Sequence, residues 1–392
     1  MFRVQTFNNI APRGLAVFDD GDYRVGDDQS DPDAILLRSH KLLDMEFNSN
    51  LKAIARAGAG VNNIPVEECT NRGIVVFNTP GANANSVKEL VLSGLLLSSR
   101  RIHQGLSWVD GLDPEADDVA KVVEKKKSEF AGPEIYDKTL GVIGLGAIGV
   151  LVSNAAAALG MNVVGFDPFI SVESAWGLSR AVRRARSLEA LLAESDYVTI
   201  HVPLNGDTRN FIDREKIFGM KKGARLLNFA RGGLVDNSAL LEAIDRDIIS
   251  YYVTDFPEAE IIGNDRVLAI PHLGASTPEA EENCAVMAAQ QLREFLEYGN
   301  VVNSVNFPEC RMPARNYDRL LIANRNIPNM VGQVTKILAD AKINILDLVN
   351  HHKDDVAYNI IDVDGKLSEE TVPAIRNIEG IIMVRHLELA GR

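Results

Sequence analysis

The sequence predicts an α/β protein built mainly on parallel sheets, with a smaller antiparallel unit at its end. Apolar runs of four to six residues alternate with helical stretches through most of the chain, as in parallel sheets covered on both faces. From Thr139 onward these runs form repeated strand–helix–strand units. The last ~75 residues instead follow the order strand, helix, strand, strand, helix, strand, which is ferredoxin-like.

In the first part of the chain, three apolar runs that end in turn-forming residues predict strands. They lie at residues 34–37, 53–57 and 74–77. From Ser86, apolar residues recur at steps of three and four, which predicts a long helix. A polar, acidic stretch follows at 110–118.

The second α/β unit is predicted to hold six strands, and a long amphipathic helix follows it. The strands are expected at 140–143, 163–166, 197–202, 225–229, 251–254 and 267–270, and the helix at 279–298. Prolines and mixed charges predict a linker from about residue 308. Beyond it, strands are expected at 319–323, 345–351, 356–363 and 381–389, with helices at 330–341 and 369–377.

Composition limits the class of protein and its partners. The chain has 392 residues, 46% hydrophobic and 24% charged, which is typical of a globular protein with two or three domains. Its net charge is −13, so we expect neither nucleic acid nor an anionic membrane as a partner. An anionic substrate therefore needs a local cationic pocket.

Cysteine spacing and the N-terminal sequence indicate a reducing compartment. Cys69, Cys284 and Cys310 lie far apart, so the sequence predicts no disulfide framework and no metal site. There is no apolar segment of signal-peptide length at the start and no run of ~18 apolar residues. We therefore expect a soluble, cytoplasmic protein.

A glycine-rich segment at 139–149 opens a helix directly after a strand. Gly144, Gly146 and Gly149 match GxGxxG, in which the glycines allow a tight turn, close approach of a diphosphate, and close packing of helix on strand. Asp167 ends the next strand, where its carboxylate can accept ribose hydroxyls and would repel a 2′-phosphate. The segment predicts a Rossmann-type, doubly wound domain that binds NAD in preference to NADP.

Two later loops carry candidate catalytic side chains. Arg231 follows a strand and offers a planar fork to a carboxylate. His272 follows another strand and is the best candidate for a proton carrier, since imidazole titrates near neutral pH. An acid near His272 would fix its tautomer and stabilise its protonated form, and spacing alone leaves both Glu258 and Glu260 as candidates.

Taken in order, these motifs resemble those of the D-2-hydroxyacid dehydrogenases. The resemblance rests on the glycine fingerprint with Asp167 and on the runs at 56–61, 78–81, 230–236, 255–260 and 271–274. It implies a flavodoxin-like substrate-binding domain split over 1–97 and 286–307, with an NAD-binding Rossmann domain inserted at 98–285. Residues 316–392 resemble an ACT regulatory domain. The active site is then expected in the cleft between the first two domains.

An Arg, a Glu and a His form the catalytic set of that family. Arg231 and His272 match directly, and ungapped counting from Arg231 matches Glu260 in preference to Glu258. The resemblance implies that His272 takes the C2 hydroxyl proton while hydride passes to NAD. Cofactor contacts are implied for Gly144, Gly146, Ala147, Ile148, Gly149, Asp167, Val202, Pro203, Phe229, Ala230, Asp255, His272 and Gly274.

Members that combine these motifs with an ACT domain act on a phosphorylated substrate, so the resemblance implies 3-phosphoglycerate as substrate and 3-phosphooxypyruvate as product, in L-serine biosynthesis. Arg231 with the N–H groups of Ala59 and Gly60 is then expected at the carboxylate, and Arg38 at the phosphate. Lys127, beside Lys126, matches a cation lent by a neighbouring subunit.

The resemblance also implies a homodimer or homotetramer and an effector site for L-serine in the ACT domain, at Asn326 and Asn344. Two alternatives stay open. One is another D-2-hydroxyacid dehydrogenase, acting on glycerate or hydroxypyruvate, lactate or 2-hydroxyglutarate. The other is a non-catalytic, NAD-sensing protein of the corepressor type.

Overall fold

The computed structural model of the protein describes residues 1–19, 21–115, 118–313, 315–365, 367–368 and 370–389. These residues form three sheets with flanking helices, in two compact units. The first unit comprises Met1–Ala82 with Glu281–Arg392, and the second comprises Asn83–Ala280. Within the described ranges, no helix is both long and apolar enough to cross a membrane.

A five-stranded parallel sheet forms one half of the first unit, in the order β2-β1-β3-β4-β5. This order is flavodoxin-like, as expected. The elements are β1 (Phe2–Phe7), α1 (Pro12–Leu15), β2 (Tyr23–Gly26), β3 (Ala34–Leu37), β4 (Ala53–Arg56), α2 (Val66–Asn71) and β5 (Val75–Phe77). The three predicted strands are confirmed. The edge strand β2 and its neighbour β1, which lies between β2 and β3, were not predicted, because polar residues interrupt their apolar runs.

The second unit contains a seven-stranded parallel sheet in the order β12-β11-β10-β9-β6-β7-β8. Its strands are β6 (Thr139–Ile143), β7 (Asn162–Phe166), β8 (Arg183–Arg184), β9 (Tyr197–Ile200), β10 (Ala224–Asn228), β11 (Ile249–Thr254) and β12 (Val267–Ala269). Strand order reverses beside β6, where doubly wound sheets bind their ligands. The Rossmann-type arrangement is therefore confirmed.

Helices cover both faces of this second sheet, as the fold requires. They are α3 (Ala84–Ser99), α4 (Ile102–Asp110), α5 (Val119–Lys126), α6 (Ala147–Ala158), α7 (Val172–Gly177), α8 (Leu188–Glu194), α9 (Arg214–Phe218) and α10 (Asn237–Asp245). A 3₁₀ turn at Lys127–Phe130 follows α5. Helices α4 and α5 contribute no buried residue, so they lie outside the core.

The C-terminal part of the first unit has the ferredoxin-like order that the sequence predicts. Its elements are β13 (Asp318–Arg325), α12 (Met330–Asp340), β14 (Asn344–Lys353), β15 (Val356–Asp364), α13 (Thr371–Arg376) and β16 (Ile381–Leu387). They form an antiparallel sheet in the order β14-β15-β13-β16, which is compatible with an ACT domain. The last helix was predicted to begin at Glu369, which lies outside the described residues.

Helix α11 (Pro278–Tyr298) joins the two sheets of the first unit into one hydrophobic core. Its buried residues Ala288 and Phe295 pack with Phe77 of the parallel sheet and with Leu321 and Tyr358 of the antiparallel sheet. The amphipathic pattern at 279–298 therefore marked a helix with partners on two sides.

The linker predicted from about residue 308 is packed into this same core. Phe307, Cys310 and Met312 are buried there. Val301 and Cys310 also exchange backbone hydrogen bonds of 2.8 and 3.1 Å. The apolar side chains between the prolines explain why this segment is held in place despite its linker-like composition.

A buried arginine connects β13 to the end of α11. Arg319 is fully buried, and its guanidinium donates to both carboxylate oxygens of Asp362 at 2.6 and 3.0 Å. Its remaining N–H groups donate to the carbonyls of Tyr298, Met312 and Pro313 at 2.8–3.3 Å. Tyr298 is the last residue of α11, so Arg319 satisfies a carbonyl that the helix itself leaves without a partner.

We predict that Arg319→Ala lowers the free energy of unfolding by roughly 3–5 kcal/mol, because it leaves a buried carboxylate and three carbonyls unpaired. Urea denaturation followed by circular dichroism measures this. Lys336→Ala is the control, since its pair with Asp340 lies on the surface and is worth at most ~0.5 kcal/mol. Equal losses for the two variants would contradict the structural role of Arg319.

Candidate active site

The turn between β6 and α6 explains two of the three fingerprint glycines. Gly144 has φ +89°, and a Cβ there would lie 2.5 Å from the carbonyl oxygen of His201. A Cβ at Gly149 would lie 1.9 Å from the carbonyl oxygen of Gly144. Neither position tolerates a side chain. A Cβ at Gly146 would meet no described atom within 4 Å, so the turn leaves open space there.

The open space faces groups that suit a dinucleotide. Gly146 is the N-cap of α6, which has no side-chain cap. The N–H groups of a helix's first turn, here those of Ala147 and Ile148, lack intrahelical partners and attract a diphosphate. Asp167 accepts hydrogen bonds from Leu145 N and Phe169 N, both at 2.8 Å. These bonds fix the carboxylate beside the turn, and its remaining lone pairs can accept ribose hydroxyls.

The other predicted cofactor residues lie where parallel strands of this sheet end. Val202 and Pro203 follow β9, Phe229 and Ala230 follow β10, Asp255 follows β11, and His272 and Gly274 follow β12. Because the strands are parallel, these segments share one edge of the sheet, to which the glycine turn also belongs. A cofactor at the switch point can therefore reach all of them.

Asp255 connects two of these segments. It is buried, its Oδ2 accepts from Gly274 N at 3.2 Å, and its Oδ1 has no partner among the described residues. Burial raises the pKa of Asp255, while the nearby His272 and Arg231 lower it. The carboxyl group of Asp255 therefore interacts electrostatically with both predicted catalytic side chains. The sequence assigned Asp255 to the cofactor alone and missed this second relation.

The loop that carries Arg231 is fixed by its neighbours. Asn228 is buried and donates to the carbonyl of Arg231 at 2.8 Å. The Arg231 guanidinium donates to the carbonyl of Ala230 at 2.7 Å, which turns the side chain back over its loop. Glu258 accepts from Gly233 N at 3.0 Å and also accepts from the side-chain amide of Asn237. Glu258 therefore stabilises the conformation of the loop that carries Arg231.

Glu260 is more weakly held than Glu258. It is exposed and accepts one hydrogen bond of 3.0 Å, from Asn237. His272 is exposed too, with its ring 4.6 Å from the ring of Phe256. Among the described residues, no hydrogen bond joins either glutamate to the His272 ring. The preference for Glu260 as the partner of His272 stays a prediction.

In the first unit, the loops predicted to bind substrate also follow parallel strands. Arg38 follows β3. The side-chain oxygen of Asn8 accepts from the backbone N–H groups of Arg38, Ser39 and His40, at 3.4, 3.0 and 2.8 Å respectively. Arg56 Nε donates to the Arg38 carbonyl at 2.8 Å. Asn8 follows the unpredicted strand β1, so the sequence offered no signal for its role.

The N–H groups predicted to meet the carboxylate belong to Ala59 and Gly60, after β4. Asn78 Nδ2 donates to the carbonyl of Ala59 at 2.6 Å, and Thr79 N donates to the carbonyl of Gly58 at 3.1 Å. The loops after β4 and β5 are therefore tied together. Both bonds are accepted by carbonyl groups of residues 58 and 59. They hold the backbone of this loop and do not involve the N–H groups of Ala59 and Gly60 that are predicted to bind the carboxylate.

The remaining predicted cations and amides are placed as follows. Lys127 pairs with Glu124 at 2.5 Å, and both side chains are exposed. The Asn326 side chain donates to the carbonyl of Asp354 at 3.3 Å, and Asn344 lies exposed at the start of β14. No group of three or more His, Cys, Asp or Glu is arranged to hold a metal ion in the described parts of the chain.

Comparisons with known proteins show which family the chain is similar to. Residues 92–276 match the NAD-binding domain family of the D-isomer specific 2-hydroxyacid dehydrogenases. The chain is 37% identical over 331 residues to D-3-phosphoglycerate dehydrogenase of Methanocaldococcus jannaschii. The aligned region covers 81% of this chain and 60% of that protein. It is 34% identical over 326 residues to the Bacillus subtilis enzyme of the same name, covering 79% and 59%.

A solved structure is also similar to this chain. The NAD⁺-bound 3-phosphoglycerate dehydrogenase of Entamoeba histolytica superposes with a TM-score of 0.60 at 26% identity, over 78% of this chain and 98% of that one. The chain thus spans about 60% of the length of the two sequence relatives but nearly all of this structural neighbour.

We predict that Gly146→Ala weakens NAD binding by about tenfold or more while leaving the thermal unfolding midpoint unchanged, because the new methyl group occupies the space required by the diphosphate. Calorimetric titration with NAD⁺ and thermal unfolding measure the two effects. Gly111→Ala is the matched control, since a Cβ there meets only ordinary contacts of 3.6 and 3.7 Å. Unchanged NAD affinity in Gly146→Ala would place the diphosphate elsewhere.

Proposed function

Since the chain belongs to the family of D-isomer specific 2-hydroxyacid dehydrogenases, we propose that it oxidises 3-phosphoglycerate to 3-phosphooxypyruvate with NAD⁺, the first step of L-serine biosynthesis. One observation carries the proposal: the glycine turn, Arg231, Asp255 and His272 share one edge of a doubly wound sheet, beside its switch point. The relatives named D-3-phosphoglycerate dehydrogenase support the choice of substrate.

The chemistry divides among few groups. NAD⁺, when bound, supplies the acceptor for the C2 hydride. Arg231 binds the carboxylate through its planar fork and polarises the oxygen on C2, where negative charge develops in the reverse direction. His272 takes the C2 hydroxyl proton on a ring nitrogen as general base. The Asp255 carboxylate, buried beside it, stabilises the imidazolium that results, and Glu260 adds to this from the exposed side.

Recognition of the phosphate is assigned to Arg38, with Lys127 of a neighbouring subunit as a second cation. A dianion bound by a chain of net charge −13 needs such local cations. One observation favours a second candidate function, the oxidation of an unphosphorylated 2-hydroxy acid. The Arg38 guanidinium already pairs with Glu281 at 2.7 Å, which reduces the positive charge that it offers.

We predict that the protein reduces NAD⁺ with 3-phosphoglycerate, with a higher kcat/KM than with D-glycerate, D-lactate or D-2-hydroxyglutarate. His272→Ala should lower kcat by about 10²–10⁴ with little change in NAD⁺ affinity, because only proton transfer is lost. Absorbance at 340 nm and NAD⁺ titration provide the data. His352→Ala, on the exposed side of β14, is the control.

Higher kcat/KM with an unphosphorylated acid would move the assignment to the second candidate. NAD⁺ binding without turnover of any of these acids would instead favour the non-catalytic, NAD-sensing alternative.

For the glutamates, we predict that Glu260→Gln moves the acid limb of the pH–rate profile for oxidation to lower pH, because a nearby carboxylate favours the protonated imidazole and its loss favours the neutral base. Glu258→Gln should lower activity without moving this limb, since Glu258 holds the Arg231 loop through Gly233 and Asn237. If the acid limb of the profile moved only in Glu258→Gln, Glu258 would be the partner of His272 and Glu260 would not.

A homo-oligomer is the proposed quaternary state, as a dimer or a tetramer. Helix α4 supports this, because Ile102, Leu106 and Val109 are 41%, 61% and 50% exposed on it and the helix has no buried residue. A second copy of the chain would remove these apolar side chains from water. Light scattering of the chain in solution tests the assembly.

Control by L-serine is proposed to be weak, although Asn326 and Asn344 are the positions expected to hold the ligand. Asn324, two residues before Asn326, is buried, and its side-chain oxygen accepts from Asn359 Nδ2 at 2.8 Å. The Asn326 amide donates to the carbonyl of Asp354. Two of the polar groups near this loop are therefore already engaged within the chain.

We predict that L-serine inhibits NAD⁺ reduction weakly or not at all, because few free polar partners are left for its ammonium and carboxylate groups. Initial rates measured across a serine titration test this. The variant Asn344→Ala shows whether any inhibition arises at this site. The control is Asn350→Ala, which removes another asparagine of β14, one whose side-chain amide donates to Asn359. Tight inhibition that Asn344→Ala abolishes would contradict the prediction.

A further inference from the structure

Glu281 faces the cation that the proposed function assigns to the substrate phosphate. Its Oε1 lies 2.7 Å from a guanidinium nitrogen of Arg38, within the first unit. Sequence patterns gave no reason to single out Glu281, which is one of several acids at the start of a helix. The structure places it against the predicted ligand group of another element.

Both partners are presented by rigid parts of the unit. Arg38 is fixed at the end of β3, with its N–H directed to Asn8 and its carbonyl bonded to Arg56. Glu281 lies in the first turn of α11, and Ala285, one turn later, is buried in the core that joins α11 to the sheets. The fold therefore brings the backbones that carry Arg38 and Glu281 close enough for their side chains to pair.

The pair is nevertheless open to solvent and to a ligand. Arg38 and Glu281 are 41% and 42% exposed. Exposed pairs are weak, because water screens them and two long side chains lose freedom. A phosphate dianion binds an arginine fork by two charge-assisted hydrogen bonds, which a single carboxylate contact does not match. Phosphate at Arg38 would lie against the Glu281 carboxylate, so the two anions exclude one another.

We propose that Glu281 is a specificity-determining residue, which occupies Arg38 in the absence of substrate, is displaced by the substrate phosphate, and so lowers the preference for phosphorylated over unphosphorylated substrates. This rests on the proposed function of Arg38. Every phosphorylated substrate then binds in competition with an internal carboxylate. A phosphate dianion competes with the Glu281 carboxylate for Arg38 better than a monoanion does, so a phosphate ester can still bind there. Substrates without a phosphate do not use Arg38 and are unaffected by Glu281.

The test is Glu281→Gln in the full chain, which keeps the size of the side chain and removes its charge. We expect the KM for 3-phosphoglycerate and the Ki of inorganic phosphate each to fall by about threefold to fivefold, the upper part of the range that the loss of a weak exposed pair allows. The KM for D-glycerate and kcat should stay within about twofold of the unaltered chain.

Glu282→Gln is the matched control. Glu282 is the next residue of α11, it is similarly exposed, and it pairs with Arg13 at 2.9 Å instead of with Arg38. It carries the same change of net charge, so a general effect of a less acidic surface would lower KM in both variants. Only Glu281→Gln should respond if the contact with Arg38 is responsible.

An unchanged or increased KM for 3-phosphoglycerate in Glu281→Gln would overturn the inference, because Glu281 would then be neutral or would hold Arg38 in its productive position. Equal effects in the two variants would overturn it as well.

Failure of the proposed function is distinguishable. If the unaltered chain does not oxidise 3-phosphoglycerate, calorimetric titration with inorganic phosphate still compares the variants. Tighter phosphate binding by Glu281→Gln alone supports the inference, and equal binding in all three proteins overturns it.

Discussion

The burial of α11 is the constraint on which most of the first unit depends. Its apolar residues fill the space between a parallel and an antiparallel sheet, so each sheet obtains a covered face from the same helix. Near its first turn the helix presents Glu281 to Arg38, and at its end the carbonyl of Tyr298 accepts from Arg319. One element thus fixes the surroundings of the predicted phosphate ligand and the position of the antiparallel sheet.

In the second unit, parallel strand order has the corresponding role. It brings loops from distant parts of the sequence to one edge of the sheet, which carries backbone N–H groups, the Asp255 carboxyl group and the side chains of Arg231 and His272. Asp255 connects these groups, since its buried carboxyl group, one oxygen of which has no partner in the part of the chain that the structure describes, interacts electrostatically with both Arg231 and His272. Buried charge of this kind is expensive unless cations lie nearby, which explains why the three groups occur together.

Much of this architecture could be predicted from local patterns. The glycine fingerprint and the apolar runs identified the central strands of both parallel sheets, because central strands are buried on two faces and therefore read as continuous apolar segments. Strand β1 was not predicted, although it lies between β2 and β3, since only Val4 and Thr6 are buried along it and the polar residues Arg3 and Gln5 interrupt its apolar pattern. The packed segment around Cys310 was predicted as a linker because its prolines and charges outweighed its few apolar residues.

The site residues divide in the same way. Gly144, Gly149 and Asp167 belong to one strand–turn–helix–strand segment of the chain, so their spacing in the sequence identifies their roles. Asn8 and Glu281 act on a loop that is 30 or more residues away in the chain, and only the folded sheet and helix show which loop that is. The two roles of Glu258 and Glu260 likewise depend on which neighbours fill their oxygens, which no spacing reveals.

The core that α11 shares with both sheets of the first unit limits how far the antiparallel sheet can act as a separate module. A regulatory domain attached by a flexible linker can be exchanged, deleted or transplanted as a cassette. Here the face of the antiparallel sheet that includes Tyr358 and Leu321 is interior to the unit, and the Tyr358 hydroxyl donates to the carbonyl of Gly299, the residue that follows α11. Cutting the chain before β13 would convert interior surface into an exposed apolar face. Any chimera of this protein therefore has to carry α11 and the antiparallel sheet together, as one inherited piece.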